Sequence, residues 1–177
     1  MRNVILPVIA IALLPFGFTP SPAHADAAKL TDPQIAHIAY TAGVIDIKAA
    51  KQALKKTKNP DIKAFAEDMV KDHSAVNDQA LALLKKLKVT PEDNDTSKSL
   101  TKGGDEERAK LAKLDGAAFD KAYAENEVAY HKTVDGALEN TLIPSASNSE
   151  LKDLLSTGLK IFQGHEKHAE EVVANLK

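Results

Sequence analysis

From Ile62 to Leu87 the residues Ile62, Ala66, Met69, His73, Val76, Ala80, Leu83 and Leu87 recur at gaps of three or four. That is the period of a single helix face, sustained for about seven turns. A stripe of this length must be buried against other elements, so the chain needs partner helices. Three more stripes supply them. The first runs through Ile35, Ala39, Ala42, Asp46, Ala49 and Ala53. Another takes Phe119, Tyr123, Glu127, His131 (or its neighbour Tyr130), Val134, Leu138 and Thr141. The last takes Leu151, Leu154, Gly158, Ile161, His165, Ala169, Val172 and Leu176.

The boundaries carry their own chemistry. Thr31-Asp32-Pro33 reads as a cap followed by proline in the first turn, where a missing N–H does no harm. Asn59-Pro60 ends the first helix and caps the second. Thr90-Pro91 stops the second helix, Asp115 is placed to cap the third through its side chain, and Pro144 closes it. Ser147-Asn148-Ser149-Glu150 reads as a capping box for the fourth. Two short links and one long one join four amphipathic helices, which predicts an all-α antiparallel four-helix bundle. Residues 90–104, rich in Pro, Asn, Ser and Gly, are expected to be a mobile connection, with a short extra helix over Asp105–Leu114.

The first 25 residues are expected to be a cleaved signal peptide: Arg2, an apolar run from Val4 to Phe18, then Ala23-His24-Ala25. The domain is then 26–177, in a periplasmic or secreted protein with no stable membrane insertion after cleavage. With 22 basic and 25 acidic residues beyond the leader, that domain is mildly acidic, so nucleic acid is not an expected partner. A protein partner or an oligomer is compatible with the sequence, which names neither. The absence of cysteine excludes disulfides, thiolate catalysis and Cys-ligated metals. No G-x-S-x-G, phosphate loop or G-x-G-x-x-G occurs. No enzyme of ordinary turnover is expected.

The informative departure is that every apolar stripe contains a metal-capable group: Asp46, His73, Glu127 with His131, and His165. Polar groups facing a core need hydrogen bonds, opposite charges or a metal. Three imidazoles with Asp46 or Glu127 would suit zinc, iron, manganese or copper. The di-iron pattern of Glu-x-x-His pairs is missing, since Val70 and Val128 stand three residues before His73 and His131. Counting residues from the hairpins puts Asp46 and His73 level, but leaves His165 about 9 Å from the height of His131, so His165 is expected to miss the set unless its helix starts late. The competing reading is a structural network of histidines, carboxylates, Tyr123 and Tyr130 that fixes helix register, serves a structural or interaction role in the envelope, and titrates near pH 6. His165-Glu166-Lys167-His168 lacks the spacing of a zincin motif.

Two strings resemble a known family. Ala64-Phe65-Ala66 continuing through Met69-Val70 to Asp72-His73, preceded by Gly43–Ala50, is similar to the "kaFA..Mv.DH" hallmark of the exported bacterial family DUF4142. Leu114-Asp115-Gly116 continuing through Phe119-Asp120 to Tyr123 resembles its "L.G..FD..Y". His131 and His165 fall where the later histidines of that family lie. The resemblance spans about residues 32–172 and implies an exported, ferritin-like bundle with no settled activity. Asp46 stands where the family commonly has Glu, which shortens the reach of that carboxylate by one methylene.

Overall fold

The computed structural model describes residues 29–176; the expected leader lies outside them. They form five long helices and no strand: α1 (Asp32–Lys56), α2 (Pro60–Leu87), α3 (Asp95–Leu111), α4 (Gly116–Ala137) and α6 (Ser149–Asn175), with α5 (Ile143–Ser145) a single turn before α6. α1 lies along α2, α4 along α6, and α2 against α6. On the remaining side α3 packs on α1 and touches α4. The result is an all-α helical bundle.

The caps explain where the helices begin. Thr31 and Gln34 form a reciprocal capping box at α1, and the Asn59 carboxamide oxygen accepts from the N–H groups of Asp61 and Ile62. Two expected caps differ. Asp115 precedes α4 but makes no side-chain cap bond, because its carboxylate reaches Lys56 Nζ at 2.9 Å. At α6 the cap is Asn148, accepting from Leu151 N–H at 3.0 Å, while Glu150 pairs across the bundle with Lys86. Asp32 accepts from the N–H groups of Ser147 and Asn148 at 2.7 and 2.9 Å, tying the start of α1 to the α4–α6 turn.

The largest correction concerns the long connection. Residues 95–104 are helical, so α3 has 17 residues where a short helix from Asp105 was expected. Asn94 and Ser97 form a capping box that starts the helix ten residues earlier. Gly103 and Gly104 sit inside it with different roles. A Cβ at Gly104 would lie 2.6 Å from Ile45 Cγ2, so the missing side chain is what lets α3 rest on α1. Gly103 faces open space. Gly103→Ala should therefore stabilise the domain by about 0.5–1 kcal/mol through helix propensity. Gly104→Ala should destabilise it by about 1–3 kcal/mol through overpacking. Thermal unfolding of the two variants checks this, and equal shifts of one sign would refute the assigned contact.

α1 accordingly buries more than one stripe, with Ile38, Thr41 and Ile45 covered as well as Ala42, Asp46 and Ala49. On α6 the inward side chains are Leu155 and Phe162 where Leu154 and Ile161 were expected. The apolar interior divides in two. One cluster holds Ile62, Phe65, Met69, Phe119, Tyr123 and Val172; the other holds Ile35, Leu84, Leu138, Leu151, Leu155 and Phe162. Asp46, His73, Glu127, His131 and His165 are all buried as well, each on a stripe between residues of these two clusters.

Candidate metal centre

Each inward helix brings its group to one level. α1 contributes Asp46, α2 His73, α4 Glu127 and His131, and α6 His165, none more than 7% exposed. The three imidazoles form a nearly equilateral triangle. Ring centroids are 5.6 Å apart for His73–His131, 5.3 Å for His73–His165 and 5.5 Å for His131–His165. One ligating atom from each of the three lies within 4.8 Å of the others, and the same holds for Asp46, Glu127 and His131. Asp46 Oδ2 bridges the sets, 3.4 Å from His73 Nε2 and 3.7 Å from His131 Nε2. This buried cluster could hold a metal ion.

His165 belongs to the triangle, contrary to the height estimate, and the backbone explains why. α4 does not stop at Thr141; it continues through a π-helical stretch, Leu138–Leu142, into α5. The wider π turn lets the helix run past Pro144, whose ring would clash with the carbonyl one turn back in a regular helix. His131 then stands 14 residues before the end at Ser145 and His165 16 after the start at Ser149. That difference is about 3 Å in height.

The hydrogen bonds fix two tautomers. His131 Nδ1 lies 2.9 Å from the Glu127 carbonyl oxygen, which can only accept, so Nδ1 carries the proton and Nε2 presents a lone pair. His165 Nε2 donates to Asp72 Oδ2 at 3.1 Å, leaving the Nδ1 lone pair. A ligating histidine is oriented in this way, its second nitrogen held by a carbonyl or carboxylate. Both ring nitrogens of His73 are buried without a hydrogen-bond partner among the described residues. So are His131 Nε2 and His165 Nδ1, while the buried Asp46 carboxyl has only the neighbouring Glu127 carboxyl to share a proton with. A buried group left in that condition costs about 1–3 kcal/mol, a serious fraction of the roughly 5–15 kcal/mol that stabilise a domain. The donor set therefore fits a cation.

Burial sets the charges. It holds His73 well below its ordinary pKa, helped by His131 and His165. It takes His131 down to about 4, against the pull of the Glu127 carbonyl, and it lowers His165 despite Asp72. Lowered from their ordinary value, the imidazoles are thus neutral at pH 7. Burial also raises Asp46 to about 7, a rise that its bond to Glu127 offsets in part. Glu127 is pushed well above its ordinary value by burial and then by Asp46. Without a cation these two carboxyls share a proton; with one, both can ionise.

Three residues around the centre carry no signal in the stripe reading. Phe162 stacks on His73, with centroids 4.4 Å apart and planes 7° from parallel. The run Leu151, Leu155, Gly158, Phe162, His165, Ala169, Val172 keeps strict gaps of four and three and would have revealed it. Asp72, beside His73 in sequence, reaches across to α6. Asp135, one turn beyond His131, is a further buried carboxylate; burial and then Glu166 raise it to about 7. Tyr130, a candidate network partner, instead donates to the Ala42 carbonyl at 2.9 Å. The Tyr123 hydroxyl is buried with no partner among the described residues. A cavity of about 310 Å³ between α1, α3 and α4 reaches Asp46 and Glu127, with Glu107 and Arg108 among its walls, and offers an ion a route inward.

Residues 18–172 match the domain of unknown function DUF4142. The chain belongs to the DUF4142 family. No curated protein matches the sequence. Among solved structures the fold is similar to that of a DUF305 protein of Streptomyces coelicolor, one inferred to be secreted. The two are 13% identical, with a TM-score of 0.66 over 81% of this chain and 94% of the other. At that identity the likeness concerns the fold alone. No helix among the described residues is long and apolar enough to cross a membrane.

The arrangement around His165 leads to a direct expectation. Asp72→Asn weakens the acceptor that holds His165 Nε2–H, and would lower the affinity for a metal held by this cluster about 10- to 100-fold without changing helix content. Competition against a chromophoric chelator reads the affinity, and an unchanged value would remove Asp72 from the site.

Proposed function

We propose that this DUF4142 protein binds one transition metal ion through His73, His131, His165 and Asp46, with Glu127 beside them as a further carboxylate. The observation that carries the reading is the pair of oriented histidines beside His73, each with one nitrogen hydrogen-bonded and the other buried without a partner among the described residues. Neutral imidazoles and one carboxylate suit zinc, iron, manganese or divalent copper; without thiolate the set does not favour monovalent copper. A bound ion would supply Lewis acidity and, if it is iron, manganese or copper, a redox couple. The chain's own contribution is a rigid, largely dry cage and a proton that leaves the Asp46–Glu127 pair as the ion enters.

One ligand-bearing helix on each side of the centre, in two antiparallel hairpins, supports a ferritin-like reading of the bundle. The apolar leader ending in Ala23-His24-Ala25, together with the secreted character inferred for the DUF305 protein, supports an exported protein that binds or buffers metal outside the cytoplasm. The test is elemental analysis of the untagged protein, exported and purified without chelators. Near-stoichiometric metal is expected. A protein that arrives metal-free and takes up none of zinc, iron, manganese or copper would leave the cluster without a cation and overturn the reading.

A further inference from the structure

A second cavity, of about 360 Å³, occupies the other side of the histidine layer. Its walls run along α4 from His131 to Leu142, eleven residues, so it is about 16 Å long and correspondingly narrow. Val76, Leu100, Val134, Leu138, Leu155 and Phe162 represent its sides, contributed by α2, α3, α4, the π turn and α6. Its polar groups include His73, His131, Asn77 and Tyr130 toward the histidine end. The exposed residues Thr96, Thr133 and Ala137 place its mouth at the seam between α3 and α4. No Lys, Arg, Asp or Glu lines it.

These features define an occupant. Apolar walls hold water poorly, so an apolar guest that fills a hole of this size gains by displacing it. Its volume is that of a small-molecule pocket, with apolar walls and a few polar groups at one place. The site offers a charged guest no counter-ion, and a carboxylate would add to the two buried carboxyls behind the histidines. We infer that the bundle binds a neutral, elongated apolar molecule, an aliphatic or alkyl-aromatic compound with one hydroxyl or carbonyl head, inserted through the α3–α4 seam with its head against His73 and His131. The inference rests on the cavity, and because His73 and His131 are also the proposed metal ligands, the metal-loaded and metal-free forms are tested side by side.

The test uses N-phenyl-1-naphthylamine, a neutral apolar fluorophore, on both metal-loaded and chelator-treated protein. One equivalent should bind with enhanced emission, and 1-decanol should displace it. Decanoate and decylamine at pH 8 should compete at least about tenfold more weakly, since neither finds a counter-charge. Ala80→Leu or Val76→Phe, which fill the space, should weaken fluorophore binding by about tenfold or more while holding or raising the melting temperature. Absence of binding to the wild type, or equal binding to both filled variants, overturns the site. Decanoate competing as well as decanol overturns the neutral head. Metal content is measured in the same samples, so loss of either function is seen on its own.

Discussion

His73→Gln is expected to abolish stoichiometric metal binding while the bundle stays folded. His73 is one vertex of the histidine triangle, 5.3 and 5.6 Å from the other two rings and 3.4 Å from Asp46, and neither of its nitrogens has other work among the described residues. Loss of a partner that merely orients a ligand already costs about 10- to 100-fold in affinity, so loss of the ligand should cost on the order of 100-fold or more. The glutamine fills most of the imidazole's volume. What it gives up structurally is the stack on Phe162, about 0.5–1.5 kcal/mol, which should lower the melting temperature by only a few degrees. Calorimetric titration with zinc and a thermal melt of the metal-free variant separate the two effects. A large fall in melting temperature, with wild type that takes up no metal either, would mean that His73 holds register and nothing more.

Acid should expel the metal earlier than the histidines alone would require. An ordinary histidine site loses its ion as imidazole protonates near pH 6.5, but burial keeps these three neutral to lower pH, His131 to about 4. The competing proton sits on Asp46, whose metal-free pKa is about 7. Below pH 7 this proton should therefore cost about tenfold in affinity per pH unit, roughly 100-fold by pH 5, on top of the dependence that the raised Glu127 contributes. Asp46→Asn should bind more weakly at pH 8 and lose the Asp46 part of that dependence between pH 7 and 5. Equal slopes in the two proteins would place the titrating proton elsewhere.

The sign for stability runs the opposite way. Asp46 is raised from 3.8 to about 7, so in the metal-free protein the folded state keeps a proton that the unfolded chain has released. Its contribution is therefore present at low pH and lost as pH rises from about 4 to about 7. The lowered histidines oppose it, since between about 4 and 6.5 the unfolded chain binds the extra protons and stability rises with pH. Metal-free Asp46→Asn should gain stability relative to wild type across that window, measured by denaturant unfolding at each pH.

Much of this was legible in the chain. The three-and-four spacing through Ile62, Met69 and His73 required a buried helix face, and Asn59-Pro60 marked the turn before it. The same spacing singled out Asp46, His73, Glu127, His131 and His165, because polar groups inside an apolar stripe are costly wherever the stripe packs. What failed was local. The glycines at 103 and 104 read as a break in helix structure, yet Gly104 is there for the approach of Ile45, a contact 59 residues away in sequence. Period alone points Leu154 and Ile161 inward, whereas the groove against α2 and α4 selects Leu155 and Phe162.

By itself the sequence determined the four long helices that carry the apolar stripes, most of the residues they bury and the five polar groups within those stripes, since each follows from side-chain chemistry repeated at a helical period. Only the tertiary structure decided that those groups meet at one level. That depends on the π turn before Pro144, which sets the height of His165, and on Asp72 and the Glu127 carbonyl, which hold two rings with their second nitrogens buried. Heights and ring orientations are products of packing between distant segments, and no local period encodes them.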